Sequence, residues 1–504
     1  MSAETSNSGG AYKVLEQRFH RLSVLDQVGG ILHWDQAVIM PDGAAAARAE
    51  QVSTLSVLSH ELMTGPEMAD LLAAADEAAL EDWPAANLAL MRRQHAHQTA
   101  VPADLVAARS KACSACEMAW RAARKDGDFA AVLPYLREVV RLTREMAQVK
   151  AAALGLSPYD ALLDGYDPGN RAELIDPVFA DLAGFLPGLL DDVLARQSAA
   201  GPLTVPQGPF PIDSQAALGR RLMQAVGFDF NRGRLDVSIH PFCGGATDDV
   251  RITTRYDEAD FTQSLMGVLH ETGHALYELG RPGDPWRNQP IGEARGMTVH
   301  ESQSLLMEMQ ACRSRDFLHY AAPLIREAFG VEGPAYEVDA LQRLYTRVSR
   351  GFIRVDADEV TYPLHVILRY RLERAIIAGD LEVADLPGVW NEGMRELLGV
   401  VPPNDRLGCL QDIHWYDGAI GYFPTYTLGA LMAAQLFAAA TEQDSDILPG
   451  IARGDFVPLV AWLRVNIHAH GSRYSADELL TRATGAPLGT AAFKAHLQRR
   501  YLGS

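Results

Sequence analysis

Apolar residues recur three and four positions apart over most of the chain. Between residues 11 and 200 they sit in long Ala/Leu/Glu/Arg segments, as at Tyr135, Val139, Val140 and Leu142, broken by Gly and Pro. This is the period of helices that bury one face. The run SAAGPLTVPQGPFPIDS, Ser198 to Ser214, holds Gly201, Pro202, Pro206, Gly208, Pro209 and Pro211. Such a density of breakers ends any helix and marks a boundary or a long surface loop. Asp213 or Ser214 then stands where a cap belongs, before a helix with Leu218, Leu222 and Val226 on one face and a stop at Gly227. Next the period falls to two. Leu235, Val237 and Ile239 alternate with Asp236 and Ser238, and Val250, Ile252 and Thr254 alternate with Arg251 and Thr253, the pattern of half-buried strands. Pro241, Gly244 and Gly245 lie between them, so a hairpin with a long loop is expected. From Asp257 the helical period returns and persists nearly to the C-terminus. The expected fold is mostly α, with one small central β-sheet.

Composition changes this picture little but narrows the partners. With 504 residues, 48% hydrophobic and 22% charged, the chain reads as globular, not disordered or coiled coil. A net charge of −19 argues against nucleic acid, whose binders need a basic surface, and against anionic membranes. The opening MSAETSNSGGAYKV has no apolar stretch of the secretory kind. The longest apolar run, around Leu428 to Ala440, is interrupted by Gln435 and falls short of the ~18 residues expected of a bilayer span. Five cysteines, an odd number, do not suit a disulfide framework. A cytoplasmic location is expected. The CxxC of Cys113 and Cys116 lies in a helical, alanine-rich stretch, where two small packing residues are the expectation.

Chemistry concentrates in His270-Glu271-Thr272-Gly273-His274, an HExxH inside DEADFTQSLMGVLHETGHALYELG. Asp260 can cap this helix and Gly280 ends it. One turn separates the imidazoles of His270 and His274, so both can hold one zinc ion. Glu271 falls beside them, placed to take a proton from metal-activated water, whose pKa zinc lowers towards ~7. Thr272 and Gly273 leave room for substrate or a neighbouring backbone.

A catalytic zinc site needs a third protein ligand. The extended HExxHxxGxxH pattern is absent, since Tyr277 occupies its glycine position. Glu301, in VHESQSLLMEMQA, is the leading candidate. His300 is adjacent, but the two diverge by ~100° on a helix, so only one can face the ion; Glu308, two turns on, is a weaker candidate. Glu301 also has a structural alternative, because Thr298-x-x-Glu301 fits a capping box.

HPF at 240–242, DVRIT at 249–253, HETGH at 270–274, HESQ at 300–303, IRVDADE at 353–359 and GCLQDIHW at 408–415 follow one another in this order. Together with LHWDQAVIMP (Leu32 to Pro41) and NIHAHGSRYSADELLTRATGAPL (Asn466 to Leu488), they make the chain resemble the Taq-type, thermostable metallocarboxypeptidase family over nearly its whole length. Leu305 and Met309 depart from it, standing where the family usually has Arg and Asn. The resemblance implies a single catalytic domain spanning 1–504, a large helical zincin-like fold with a deep central cleft beside the sheet, an N-terminal helical region to about 200 and a zinc-site region over about 230–430. It implies a butterfly-like homodimer that removes C-terminal residues from peptides with a free C-terminus. It implies one zinc ion per subunit, replaceable by cobalt or manganese, held by His270, His274 and Glu301, with Glu271 as general base.

An enzyme of this kind must recognise a free carboxylate, and a guanidinium suits that task because its planar fork is always charged. Arg251 and Arg354 lie in matching motifs and are the expected clamp; the alternative is ordinary ion pairing with Asp249 and with Asp356 or Asp358. Donors to the developing oxyanion are sought among His240, His300, His414 and Tyr422. Gln303, Gln411 and Asp412 are candidates for orienting the ligands.

Overall fold

The computed structural model describes residues 4–503. A long helix, Glu4–Val38, opens the fold and doubles back through Ala45–Thr64. Helices Asp82–Thr99, Ala103–Asp126, Phe129–Leu154 and Ala172–Ala199 complete the N-terminal half. The first of these helices keep a small core of their own, with Leu15, Phe19, Met68, Leu88 and Met91, whereas the later ones share theirs with the rest of the chain. Phe129, Leu136, Leu182 and Leu190 pack in one cluster with Leu364, Leu368, Trp390 and Leu428 from the second half of the chain. A second cluster gathers Leu265, Leu269, Leu276, Val299 and Leu306 with Met432 and Leu436. The alanine-rich helix Pro424–Gln443 contributes to both, because small side chains let neighbours approach it from two sides.

The breaker-rich segment is a loop between Ala199 and Ile212. The helix after it, Ile212–Val226, starts at Pro211 without a side-chain cap, so neither Asp213 nor Ser214 takes the capping role expected of it. Proline's fixed φ sets the start instead.

The sheet differs from the expected hairpin. It has three strands, β1 (Gly233–Val237), β2 (Cys243–Ala246) and β3 (Asp249–Thr254), in the order β1-β3-β2. β1 runs parallel to β3, with Leu235 beside Ile252, and the intervening segment supplies β2, antiparallel to β3. The tight turn is therefore between β2 and β3, at Thr247 and Asp248, where Asp248 takes a positive φ of 63°. Leu235 is buried, whereas Val237 is largely exposed and Ile239 lies outside the strand.

Cys113 and Cys116 lie on the helix Ala103–Asp126 and all five cysteines are free. Among the described residues no helix is long and apolar enough to cross a membrane.

Candidate active site

The HETGH motif sits on the helix Phe261–Gly280, which is buried almost all round. Asp260 caps it, its carboxylate accepting from the Thr262 amide at 2.8 Å, a contact worth ~1 kcal/mol. The helix packs against β3, Ile212–Val226 and a second buried helix, Gly296–Leu305. Gly273 is what allows that last contact. A Cβ there would collide with the Gln303 carbonyl and lie 2.7 Å from Ser304 Cα. The small residues between the two histidines thus make room for a backbone.

This close crossing carries Glu301 to the imidazoles. Its Oε2 lies 3.9 Å from His270 Nε2 and 3.4 Å from His274 Nε2. The three candidate ligand atoms fall within 4.8 Å of one another. Tetrahedral zinc with ligand bonds near 2.0–2.1 Å separates its donors by roughly 3.4 Å, so two imidazoles and a carboxylate at these distances fit one divalent ion. The capping box does not form: Thr298 donates to Asp167 at 2.6 Å, and the helix has no side-chain cap. Gly429, on Pro424–Gln443, closes the space behind Glu301, since a Cβ there would lie 2.9 Å from both its Cβ and Cγ.

His270 is backed by a carboxylate and His274 by a second imidazole. His270 Nδ1 is 2.9 Å from Glu308, whose other oxygen takes Arg313 at 2.5 Å. The helix changes to π geometry over Leu306–Cys312, a form often found at functional sites, and Glu308 lies within that segment. His274 Nδ1 is 2.7 Å from His300 Nδ1, and His300 Nε2 is 2.9 Å from Glu278. Arg281 in turn lies 2.9 Å from Glu278. With His300 Nε2–H donating to Glu278, its Nδ1 accepts from His274. In the neutral rings this tautomer turns both Nε2 lone pairs to the side of Glu301. His300 and Glu308 thus contact the Nδ1 edges of His274 and His270, opposite the Nε2 atoms that face Glu301.

The charges are arranged asymmetrically. Burial opposes protonation of His270, but the Glu308 hydrogen bond and the Glu301 charge outweigh it and raise its pKa to about 10. Burial and the neighbouring His300 lower His274 to about 4. Glu301 is held down to about 2, burial notwithstanding, by the adjacent His274 and His270 rings. Glu271 makes no hydrogen bond among the described residues. Burial, aided by the charges of Glu301 and Glu308, pushes it up to about 7, the range that suits a general base.

The second group of expected residues converges separately. Asp412 accepts from Arg354 at 2.8 Å and from Arg369 Nε at 2.7 Å, and these two cations hold its carboxyl far below the usual range despite burial. Arg369, fully buried beneath Trp390, has no motif to announce it. Gln411 accepts from the Arg354 backbone amide at 2.8 Å, so it shapes the loop of Arg354 and does not orient a metal ligand. Gln303 turns to His468, 2.9 Å away, and touches no ligand side chain. Arg354 faces the rings of Tyr426, 4.8 Å away, and Phe423, 5.4 Å away. His414 Nε2 meets the Tyr426 hydroxyl at 3.1 Å, while its buried Nδ1 has no partner. Burial, reinforced by Arg354 and Arg369 against Asp412, brings His414 down to about 4. Tyr422 stands edge-on to Tyr426 and Tyr166, both at 5.1 Å. Burial is the main cause of the raised pKa of Tyr362, Tyr422 and Tyr426, and the charge of Glu301 adds to each. The Tyr362 hydroxyl accepts from Arg354 at 3.3 Å.

Arg251 lies apart, stacked 4.1 Å above Trp34 and paired with Asp249 at 2.7 and 3.1 Å. His240 is exposed, and its ring has no hydrogen bond among the described residues.

A buried HExxH helix, a carboxylate brought beside its histidines by a following helix and a glutamate with no hydrogen bond among the described residues have the form of a metallopeptidase site. Over residues 14–501 the chain matches the model of the carboxypeptidase Taq (M32) metallopeptidases. It is 40% identical to thermostable carboxypeptidase 1 of Thermus thermophilus, over 97% of this chain and 98% of that one. It is 34% identical to thermostable carboxypeptidase 1 of Pyrococcus furiosus, over 97% and 98%. Among solved structures, Trypanosoma cruzi metallocarboxypeptidase 1 superposes with a TM-score of 0.96 at 40% identity, covering 98% of this chain and 99% of that one. The chain belongs to the carboxypeptidase Taq (M32) family and is a metallocarboxypeptidase.

Proposed function

We propose that the protein is a zinc-dependent carboxypeptidase that releases C-terminal residues from peptides, with His270, His274 and Glu301 as ligands and Glu271 as general base. The observation that carries this reading is the meeting of three ligand atoms within 4.8 Å beside a buried carboxyl that no protein donor engages. When bound, the metal supplies a Lewis acid that polarises the scissile carbonyl and acidifies water. Glu271 takes the proton from the attacking water and returns it to the departing amine.

Arg354 is the better supported clamp for the terminal carboxylate. Arg354 and Arg369 share the single carboxylate of Asp412. Glu373, also felt by Arg369, is engaged by Trp415 and Tyr159, each at 2.9 Å, and pushed up to about 7, chiefly by burial. Arg354 and Arg369 outnumber the one carboxylate they pair with, and an incoming carboxylate compensates the excess. Arg251 is fully matched by Asp249 and serves as a secondary contact. His414, neutral with an open Nδ1, and Tyr422 supply hydrogen bonds to the oxyanion. His240 is assigned to substrate approach.

The five free thiols support a reducing, cytoplasmic setting, and the homodimer follows from the family likeness. The reaction is tested with one peptide carrying a free or an amidated C-terminus. Release of the last residue only from the free acid is expected; equal cleavage of the amide would replace exopeptidase by endopeptidase action. In the same assay Glu271→Gln should keep stoichiometric zinc and lose about 10²–10⁴ in kcat.

A further inference from the structure

A cavity of about 670 Å³ adjoins the His274–His300 pair and includes His300 and Tyr422 in its wall. Its other charged or titratable lining residues are Arg93, His97, Lys150, Tyr166, Glu293 and Arg295. Most have partners. Arg93, His97 and Arg171 each lie 2.9 Å from Asp164, whose carboxylate also accepts from the Gly169 amide at 3.0 Å. Arg295 donates to the Pro168 carbonyl at 2.9 Å, and Glu293 accepts from Gln94 at 3.1 Å. Lys150, near the C-terminal end of Phe129–Leu154, is different. Among the described residues it has neither a hydrogen bond nor an ion pair, although it is half-buried. The nearby carboxylate that could neutralise it, Asp164, is already saturated by four donors.

We propose that Lys150 is a specificity subsite of the peptide groove, which binds the side-chain carboxylate of an aspartate or glutamate in the substrate. The assignment rests on the carboxypeptidase reading and adds the substrate class favoured. An ammonium is a compact charge on a flexible stem, fitted to a mobile side chain, whereas the terminal carboxylate has the planar Arg354 fork. Burial and repulsion from Arg109 and Arg93 depress the Lys150 pKa, so a bound carboxylate relieves an unfavourable environment.

The test uses four N-blocked alanine peptides, with Glu or Gln at the last position or at the one before it. For the wild type, kcat/KM should favour Glu over Gln by about tenfold at one of the two positions. Lys150→Met should abolish that preference and leave the Gln peptides unchanged, while Lys150→Arg should retain most of it. An equal loss on all four peptides would overturn the proposal by making Lys150 a reader of the terminal carboxylate. Unchanged ratios would overturn it by placing Lys150 outside the occupied groove. Calorimetric binding of the same peptides to Glu271→Gln protein, with and without Lys150→Met, reads the contact without turnover. Absence of wild-type exopeptidase activity would thus sink the functional reading alone, and the binding ratios would still decide the role of Lys150.

Discussion

His300 Nδ1 lies 2.7 Å from His274 Nδ1, and this contact does for one candidate ligand what Glu308 does for the other. At His270 the supporting carboxylate touches the ring directly; at His274 a second imidazole stands between the ring and Glu278. Both chains end on an arginine, Arg313 and Arg281. An outer partner of this kind fixes the tautomer and raises ligand basicity, and its loss costs about 10–100-fold in metal affinity. Glu308→Gln and His300→Ala should each weaken zinc by that factor, measured by competition against a chromogenic chelator. Glu278→Gln should have a smaller effect of the same sign, because it acts through His300.

Much of this centre is legible in the sequence because it obeys local geometry. The spacing of His270 and His274 puts both on one helix face, and Asp260 and Gly280 bracket that helix where the pattern places them. Glu301 is legible as a candidate, but choosing it over His300 and Glu308 depends on how two helices cross, which Gly273 decides through a contact with residues 303 and 304. The role of Glu308 depends on a π segment that no periodicity announces. Alternation reveals β1 and β3 as strands, yet whether neighbours run parallel or antiparallel is a property of the connection; here β2 takes the antiparallel edge. Arg369 has no local signal, since its meaning lies in sharing Asp412 with Arg354.

Gly429 is expected to set the position of Glu301. Adding a methyl group 2.9 Å from the Glu301 side chain overpacks a fully buried contact between two helices, at a cost of ~1–3 kcal/mol. Gly429→Ala should therefore lower both the denaturant midpoint and the zinc affinity. Ala430→Gly, one residue along the same helix, should lower the midpoint without altering zinc affinity. A zinc affinity unchanged in Gly429→Ala would show that Glu301 adapts.

The two arginines on Asp412 should separate in their effects. Arg354→Ala removes the guanidinium assigned to the substrate and should raise KM for free-acid peptides by about tenfold or more, with little effect on binding of amidated analogues. Arg369→Met instead removes a fully buried partner of a buried carboxylate. Breaking a buried pair in this way costs ~3–5 kcal/mol. Its signature should be a lower unfolding midpoint, read by urea titration, and not a selective rise in KM.

Glu359 gives the fold an acid-sensitive tie. Its buried carboxylate accepts from His496 at 2.7 Å and from Arg500 and Tyr501, both at 3.2 Å, joining the chain's last helical segment to the interior. Burial opposes ionisation, but His496 and Arg500 prevail and bring its pKa down to about 2. A carboxyl with a folded pKa below its unfolded one stabilises the fold above the unfolded value, ~4.3, and loses that contribution as pH falls towards the folded value. The stake is on the order of 3 kcal/mol. His496, whose pKa burial lowers, changes stability in the same direction below its unfolded value of ~6.5, because the unfolded chain then binds more protons. Urea unfolding between pH 7 and pH 3 should show wild-type stability declining with acid. Glu359→Gln should start lower at pH 7 and decline less steeply below pH 5, and parallel curves for the two proteins would remove Glu359 from the account of acid sensitivity.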